Sequence, residues 1–469
     1  MPTHRTQLLV IGGGPGGYAA AFRAADLGLN VTIVDDDERL GGTCLLRGCI
    51  PSKALLHVAA VISETREAKE FGLNYGDPKI DLDAIRGFKD GVVDKLTGGL
   101  DGLARRRKVT HISGRASFGS SQRVNIMGSG TFDSVEFDHA IVATGSRPAS
   151  IPLFEIGSDR VLNSTTALEL EDVPETMLVV GGGYIGLELG LVYAELGSRV
   201  SVVEMTDGLL PGADRDLVAP LQKRLSGIFE SIQLKTAVRK VEAAIDEITV
   251  TMDGSDNLTE TAFEKILVSI GRQPNSETLG LENTKAVIDE RGFVNVDHQQ
   301  RTGDAHILAI GDVVGGGLAH TAAHQGKVAA EVVAGEPSAF DKVVPAVVFT
   351  NPEVAWVGLT ETQATEQKKN VEIAKFPWAA SGRAMTLGRS DGLTKVIVEP
   401  VTNRVLGVGI VGPGAGELIA EATLAVEMAA VVSDIAETIH PHPTLSESVG
   451  IASEVFEGTA TDLYVPKRS

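Results

Sequence analysis

Leu8-Leu9-Val10-Ile11-Gly12-Gly13-Gly14-Pro15-Gly16-Gly17 is the stretch on which the fold turns. Its apolar start, residues 8–11, reads as a strand. The glycines follow, residues 18–29 read as a helix, and residues 31–34 read as a second strand that ends at Asp35. Gly12, Gly14 and Gly17 fit the spacing G-x-G-x-x-G. In that pattern the first glycine turns the chain tightly and the second lets a pyrophosphate approach the backbone. The third lets helix and strand pack closely. The helix N-terminus then presents unpaired N–H groups and a positive dipole end to the phosphates. Asp35 stands where a carboxylate binds a ribose hydroxyl. A glycine-rich turn in another kind of α/β protein would also explain the glycines. Strand, helix and acid in this order favour a dinucleotide site.

The unit occurs twice. Met177-Leu178-Val179-Val180 leads into Gly181-Gly182-Gly183-Tyr184-Ile185-Gly186, then a helix through Leu196, a strand at 200–203, and Glu204. Each acid lies 23 residues after the first glycine of its own motif, 12 to 35 and 181 to 204. Such an internal repeat implies two Rossmann-like folds in one chain. Glu204 would accept from the 2′-OH of NAD and repel the 2′-phosphate of NADP. The next residues, Met205-Thr206-Asp207, bring no arginine.

Between the repeats, Gly41-Gly42-Thr43-Cys44-Leu45-Leu46-Arg47-Gly48-Cys49-Ile50-Pro51-Ser52-Lys53 contains the only two cysteines in 469 residues. Four residues separate the thiols, so a bend or distorted helical turn could bring the sulfurs within disulfide range. The neighbouring Gly and Pro residues make such a bend plausible. A plain staple, or two buried thiols that never pair, is the alternative. Closing so short a loop removes little unfolded-state entropy, which favours a chemical role over a stabilising one.

One hydrophobic core rarely exceeds roughly 250–300 residues, so this length implies two or three domains. A formal charge of −20 disfavours nucleic acid and anionic membrane as partners. The first seven residues run into a strand without an apolar signal core or a cleavage-like site. No uninterrupted apolar run reaches the ~18 residues of a membrane helix. The expectation is a soluble, cytoplasmic protein, where a close cysteine pair is more often redox-active than structural.

Further along, residues 62–69 and 85–107 read as helices, the latter ending in the basic run Arg105-Arg106-Arg107-Lys108, a solvated helix end. Residues 109–118, 123–127 and 132–137 read as short strands. Residues 140–142 form an apolar strand ending in a small-residue turn, and Pro148 and Pro152 mark a linker into the second fold. A matching strand and turn end at Gly271-Arg272. His306-Ile307-Leu308-Ala309-Ile310-Gly311-Asp312 is a buried-looking strand followed by a helix over 319–334. Asp312 there suits a ligand at the carboxyl edge of the sheet, or a helix N-cap. From about Val344 the pattern becomes antiparallel strands at 347–349, 372–376, 393–399 and 405–410. Helices are expected at 360–367, 416–430 and 432–439, and a short one runs into Phe456. The expected architecture is α/β: two Rossmann-like dinucleotide-binding domains plus a C-terminal α+β dimerisation domain. Its divisions are 1–148 and 275–344 for the first, 149–274 for the second and 345–469 for the third.

Two dinucleotide folds, a C-x4-C pair after the first, Ala309–Asp312 and His440-Pro441-His442-Pro443-Thr444-Leu445-Ser446-Glu447 resemble the pyridine nucleotide–disulfide oxidoreductases. The resemblance covers essentially the whole chain. Ile50-Pro51-Ser52-Lys53 and the segment from His442 to Glu447 are most similar to the members that oxidise dihydrolipoyl groups with NAD. The resemblance implies FAD and NAD as cofactors, a homodimer, and lipoyl domains of a multienzyme complex as partners. Cys44 is then the interchange thiol, and Cys49 the thiol beside the flavin. His442 is the base, oriented by Glu447, with His440 in support. Lys53 lies near the flavin and pairs with Glu188 of the second fold. The first fingerprint, Gly42, Thr43, Gly114 and Ala143-Thr144-Gly145 contact FAD with Asp312 and Ala319. Gly181, Gly182, Gly183, Tyr184, Ile185 and Gly186 contact NAD with Glu204, Val238, Ile270, Gly271 and Arg272. A related NAD(P)H-dependent reductase of a small disulfide, or an inactive relative kept as a scaffold, would share most of these residues. The chain departs from the family at Leu46-Arg47, where Asn-Val is usual, at Asp35, where Glu is common, and at Pro441, where Ala is usual. Leu46 and Arg47 could alter disulfide potential or access. The chain ends at Ser469 without the second, C-terminal cysteine pair of some relatives.

Overall fold

In the computed structural model, which describes residues 2–254 and 257–464, the first repeat forms a parallel sheet. Its strand order is Thr110–Ser113, Val31–Asp35, Thr3–Ile11, Ser134–Val142, Ile307–Ala309. Leu8, Leu9, Val10 and Ile11 are all buried, as expected for a central strand covered on both faces. The helices Pro15–Asp26 and Ala319–Val333 pack against each other through Ala20, Ala21, Ala24, Ala329 and Ala330. Their approach is so close that a Cβ on Gly326 would strike the Gly16 carbonyl oxygen.

The second repeat builds the same order: Ser231–Gln233, Arg199–Val203, Thr176–Val180, Lys265–Val268, Val161–Leu162, all parallel. In both folds an antiparallel excursion precedes the fourth strand. Arg115–Ser120 pairs with Arg123–Met127 in the first. Ala237–Ala243, Ile248–Asp253 and Leu258–Phe263 form it in the second. The chain passes into the second fold and out again through a two-stranded ribbon, Ser146–Pro148 against Arg272–Pro274.

The last domain is a five-stranded antiparallel sheet in the order Ala346–Val348, Glu353–Gly358, Val405–Gly412, Leu393–Val398, Glu372–Pro377. Helices Ala415–Glu427 and Glu447–Glu457 pack on it around the fully buried Trp378.

Helix Cys49–Glu67 joins these bodies. Ser52, Leu55, Leu56, Ala59, Ile62 and Ser63 are buried on it, a stripe with i, i+3, i+4, i+7 spacing. Leu55, Leu56, Ala59 and Ile62 enter one core with Leu187, Leu191 and Val192 of the second fold and Val348, Val354 and Val411 of the last domain. The stretch Gly42–Phe71 is long and apolar enough to cross a membrane by length and composition. Here its apolar stripe faces protein.

Several elements differ from the sequence reading. The helix expected at 62–69 starts at Cys49, because Pro51 falls in its first turn, where a missing N–H removes no helical bond. The strand expected at 109–118 is two strands hinged at Gly114, whose positive φ of 149° turns the corner. The strands expected at 132–137 and 140–142 fuse into Ser134–Val142, and the linker at Pro148 is part of the ribbon. The meander over 237–263 and the strand Glu353–Gly358 had no counterpart in the reading. The residues 465–469 that end the sequence lie outside the described residues.

Candidate active site

The two glycine fingerprints repeat each other atom by atom. Gly12 and Gly181 have φ of 107° and 109°, reserved in practice for glycine. A Cβ on Gly12 would strike the Ala143 carbonyl oxygen, and one on Gly181 that of Ser269. A Cβ on Gly17 would strike the Gly12 carbonyl oxygen, and one on Gly186 that of Gly181. The acids match too. Asp35 accepts from Gly13 N–H and, at 2.7 Å, from Asp37 N–H. Glu204 accepts from Gly182 N–H at 2.7 Å and from Thr206 N–H at 2.8 Å. Burial raises the pKa of Asp35, against the lowering effect of those two N–H groups. Gly14 and Gly183 leave open space where a pyrophosphate must approach: the nearest atom to a Cβ on Gly14 is Gly42 Cα at 3.8 Å, and nothing lies within 4 Å of one on Gly183. The donor set and its space fit a dinucleotide in each fold.

A cavity of about 600 Å³ runs from Gly12, Gly14 and Asp35 past Gly42 and Thr43 to both cysteines. Lys53, Gly114, Ala143, Thr144, Gly145, Asp312 and Ala319 also line it. From the second fold it reaches Tyr184, Ile185, Glu188 and Arg272. Gly181–Gly183, Glu204, Val238, Ile270 and Gly271 do not line it. They belong to the separate edge of the second fold, and Val238 packs on that fold's core.

Cys44 lies on the short helix Gly42–Arg47 and Cys49 opens Cys49–Glu67, with Gly48 breaking the two helices apart. The distorted helical turn is thus present. Both thiols are free, and each acts on the acidity of the other. The neighbouring Cys44 thiol, with Lys53 one turn further along the helix and a backbone N–H, brings Cys49 down to about 7 against its burial and the charge of Glu188. Cys49, with burial, pushes Cys44 up. The N-terminus of the long helix also favours the Cys49 thiolate.

Lys53 Nζ donates to Glu188 Oε2 at 2.8 Å. Glu188 is buried, and Ser52 Oγ at 3.2 Å and Phe349 N–H at 2.9 Å complete its hydrogen bonds. The Lys53 ammonium also stands 4.5 Å above the Phe349 ring centre. The sequence reading contained Lys53 and Glu188 but not Ser52 or Phe349. A backbone donor from the last domain leaves no mark in local sequence.

Asp312 lies in the first turn of the 3-10 helix Gly311–Val314, whose N-cap is Ile310, so it is not the cap. It accepts from Ser146 Oγ at 2.5 Å. Arg272 donates to Ser146 Oγ at 2.7 Å and to the Ser146 carbonyl at 2.6 Å, with its Nε 3.8 Å from Asp312. Thr144 and Asn275 exchange hydrogen bonds of 2.7 and 2.9 Å across the same junction. Ser146 and Asn275 escaped the sequence reading because the ribbon, not a motif, brings them in.

His442 Nδ1 is 2.8 Å from Glu447 Oε1, and Glu447 Oε2 accepts from Thr444 N–H at 2.6 Å. The imidazole is 78% exposed and does not line the cysteine cavity of its own chain. His440 is held differently, by Glu421 at 2.7 Å and the Thr438 carbonyl at 2.9 Å. Elsewhere, Asp214, Asp216 and Glu361 offer carboxylates within 4.8 Å of one another. They already surround the buried ammonium of Lys395 at 2.6, 2.7 and 2.8 Å, so the group is an ion-pair network joining the second fold to the last domain.

Residues 6–326 match the family described as pyridine nucleotide-disulphide oxidoreductase, and residues 344–453 match that family's dimerisation domain. The chain is 50% identical over 462 residues to the dihydrolipoyl dehydrogenase of Vibrio parahaemolyticus, covering 98% of this chain and 97% of the relative. It is equally 50% identical to that of Haemophilus influenzae, over 98% and 96% of the two chains. Among solved structures, LpdA from Mycobacterium tuberculosis superposes with a TM-score of 0.89 at 28% identity, over 96% of this chain and 99% of that one. The HOCl-induced flavoprotein disulfide reductase RclA from Escherichia coli gives 0.85 at 27%, over 96% and 99%.

Proposed function

The chain belongs to the pyridine nucleotide-disulphide oxidoreductases, and from that premise we propose that it oxidises dihydrolipoyl groups and reduces NAD⁺ to NADH. The overall reaction is dihydrolipoyl + NAD⁺ → lipoyl + NADH + H⁺. The observation that carries this reading is the single cavity shared by the first fingerprint, both cysteines and Glu188 of the second fold.

In the oxidised enzyme a substrate thiolate attacks Cys44 Sγ of the Cys44–Cys49 disulfide, and Cys49 leaves as the thiolate. The second substrate thiol then attacks the sulfur joined to Cys44, closes the lipoyl disulfide and releases Cys44. The depressed acidity range of Cys49 makes it the better leaving group. A flavin bound in the first fold supplies the two-electron relay that a dithiol and a nicotinamide cannot perform directly. Lys53, held by Glu188, brings a cation to the second-fold end of the cavity. His442 takes the substrate proton. Its Nδ1–H donates to Glu447, which leaves Nε2 as the basic nitrogen.

The protein works as a homodimer through its dimerisation domain. His442 does not line the cavity of its own chain and is exposed, which supports a shared site in which each protomer's imidazole serves the other's disulfide. FAD in the first fold, NAD in the second, lipoyl domains as the macromolecular substrate and a cytoplasmic setting complete the reading. Glu204 favours NAD over NADP. The test is a steady-state assay with dihydrolipoamide and NAD⁺ or NADP⁺, followed with the flavin absorbance. A yellow protein that reduces NAD⁺ is expected. A colourless protein, or turnover of small disulfides alone, would overturn the assignment.

A further inference from the structure

Three consecutive acids, Asp35-Asp36-Asp37, end the second strand of the first fold and line its cavity. An anionic dinucleotide must settle beside them. Asp35 is engaged by the N–H groups of Gly13 and Asp37, and the charge of Asp37 acts on it to raise its pKa further. Asp36 meets Arg115 through one carboxylate oxygen, at 3.0 and 2.7 Å, with both side chains more than half exposed. Asp37 is treated differently. Arg47 grips it with both guanidinium nitrogens, Nη1 to Oδ1 at 3.0 Å and Nη2 to Oδ2, and the Asp37 side chain is only 23% exposed.

Arg47 lies between the two cysteines in sequence, yet its guanidinium is bound to Asp37 at the acidic strand end, on the wall of the same cavity. Lys53 is the cation that acts on the thiols. The second fold has no such arrangement, because Glu204 is followed by Met205-Thr206.

We propose that Arg47 is a cofactor-anchoring residue: it cancels the charge of Asp37 and offers a cation to the phosphates of the dinucleotide held by the first fold. This rests on the reading that the first fold binds FAD. A bidentate, partly desolvated guanidinium suits both partners, since carboxylate and phosphate present the same oxygen spacing. The Arg115–Asp36 pair, exposed and bound through one oxygen, contributes much less.

The experiment measures flavin release from the purified holoprotein by the rise in flavin fluorescence after dilution, at low and high salt. Wild type is compared with Arg47→Met, Asp37→Asn, the double variant and Arg47→Lys. Arg47→Met should release flavin about tenfold faster, the loss of one charge-assisted contact. Asp37→Asn, which frees the arginine, should release no faster than wild type, and the double variant, which loses the contact to the phosphates but also the bare Asp37 charge, should fall between wild type and Arg47→Met. Arg47→Lys, which keeps the cation, should stay within about threefold, roughly half of the logarithmic loss expected for one charge-assisted contact. High salt should narrow the Arg47→Met difference, as for any partly exposed charge. Equal acceleration by Arg47→Met and Asp37→Asn would show that the pair only ties two loops together and would overturn the proposal. So would a wild-type rate for Arg47→Met. Wild-type protein without flavin would instead overturn the assignment of FAD to the first fold, and the inference with it.

Discussion

The two dinucleotide folds share strand order, glycine geometry and an acid clasped by a fingerprint N–H, but their surroundings differ. Around Gly12–Asp35 the chain adds the cysteine helices, the Asp312 turn and the helix Ala319–Val333, which together wall a deep cavity. Around Gly181–Glu204 it adds a meander and the helix Arg215–Leu225. A deep, many-walled site suits a resident group, and an open edge suits one that comes and goes at every turnover. The frame suits a dinucleotide in both cases, and under the proposed function the additions decide how long it stays and what chemistry it meets.

The largest test removes the chemistry and leaves both frames standing. Cys49→Ser should lower NAD⁺ reduction by dihydrolipoamide on the order of 10³-fold or more while the flavin absorbance is kept; unchanged turnover would contradict the relay. Breaking the frames one at a time comes next. Gly12→Ala should cost about 2–4 kcal/mol of stability and yield flavin-poor protein, since its Cβ meets the Ala143 carbonyl oxygen at positive φ. Gly181→Ala should stay yellow and lose NAD⁺ reduction. Absorbance ratio, thermal unfolding and turnover read the pair, and a colourless Gly181→Ala would mean the two folds are not separable. A smaller effect is expected from Glu204→Ala: about a tenfold rise in KM for NAD⁺ with no change in flavin content.

The smallest concerns acidity. In the reduced protein the Cys49 thiol, lowered to about 7, is mostly thiol below that pH and thiolate above it. Its alkylation by iodoacetamide should therefore rise through about pH 7 and level off above. Lys53→Met removes a cation that favours the thiolate, so the midpoint should move up. An unmoved midpoint would leave the neighbouring Cys44 thiol and the backbone N–H as the causes of the shift.

Local physics made the repeats legible. Gly12 is required by its positive φ and Gly17 by the nearby Gly12 carbonyl oxygen, and the acid follows at a fixed spacing, so the chain announces them. The parallel strands were visible as apolar runs because both faces are buried. The start of the cysteine helix was not, since Pro51 reads as a breaker unless its place in the first turn is known. In the meander at 237–263 only the central strand, Ile248–Asp253, alternates; Ala237–Ala243 and Leu258–Phe263 are mostly exposed, so the flanking strands carry no clear pattern. Lys53 and Glu188 come together across 135 residues, a contact that the resemblance implied and that spacing alone did not. Leu46-Arg47 looked like a modifier of the disulfide. Only the direction of the Arg47 side chain reveals its engagement with Asp37.

The ribbon of Ser146–Pro148 and Arg272–Pro274 makes the second fold an insert in connectivity, with both ends side by side. Such a cassette invites transplantation, for instance to exchange one nicotinamide preference for another. Cutting at the ribbon would not cut along a free surface, however. Leu187, Leu191 and Val192 of the insert are the wall against which Leu55, Leu56 and Ala59 of the cysteine helix rest. Glu188 leaves with them and strands Lys53. A graft that respects only the ribbon would keep the thiols and lose the bed they lie on, so any working exchange must carry the inward face of helix Tyr184–Leu196 unchanged.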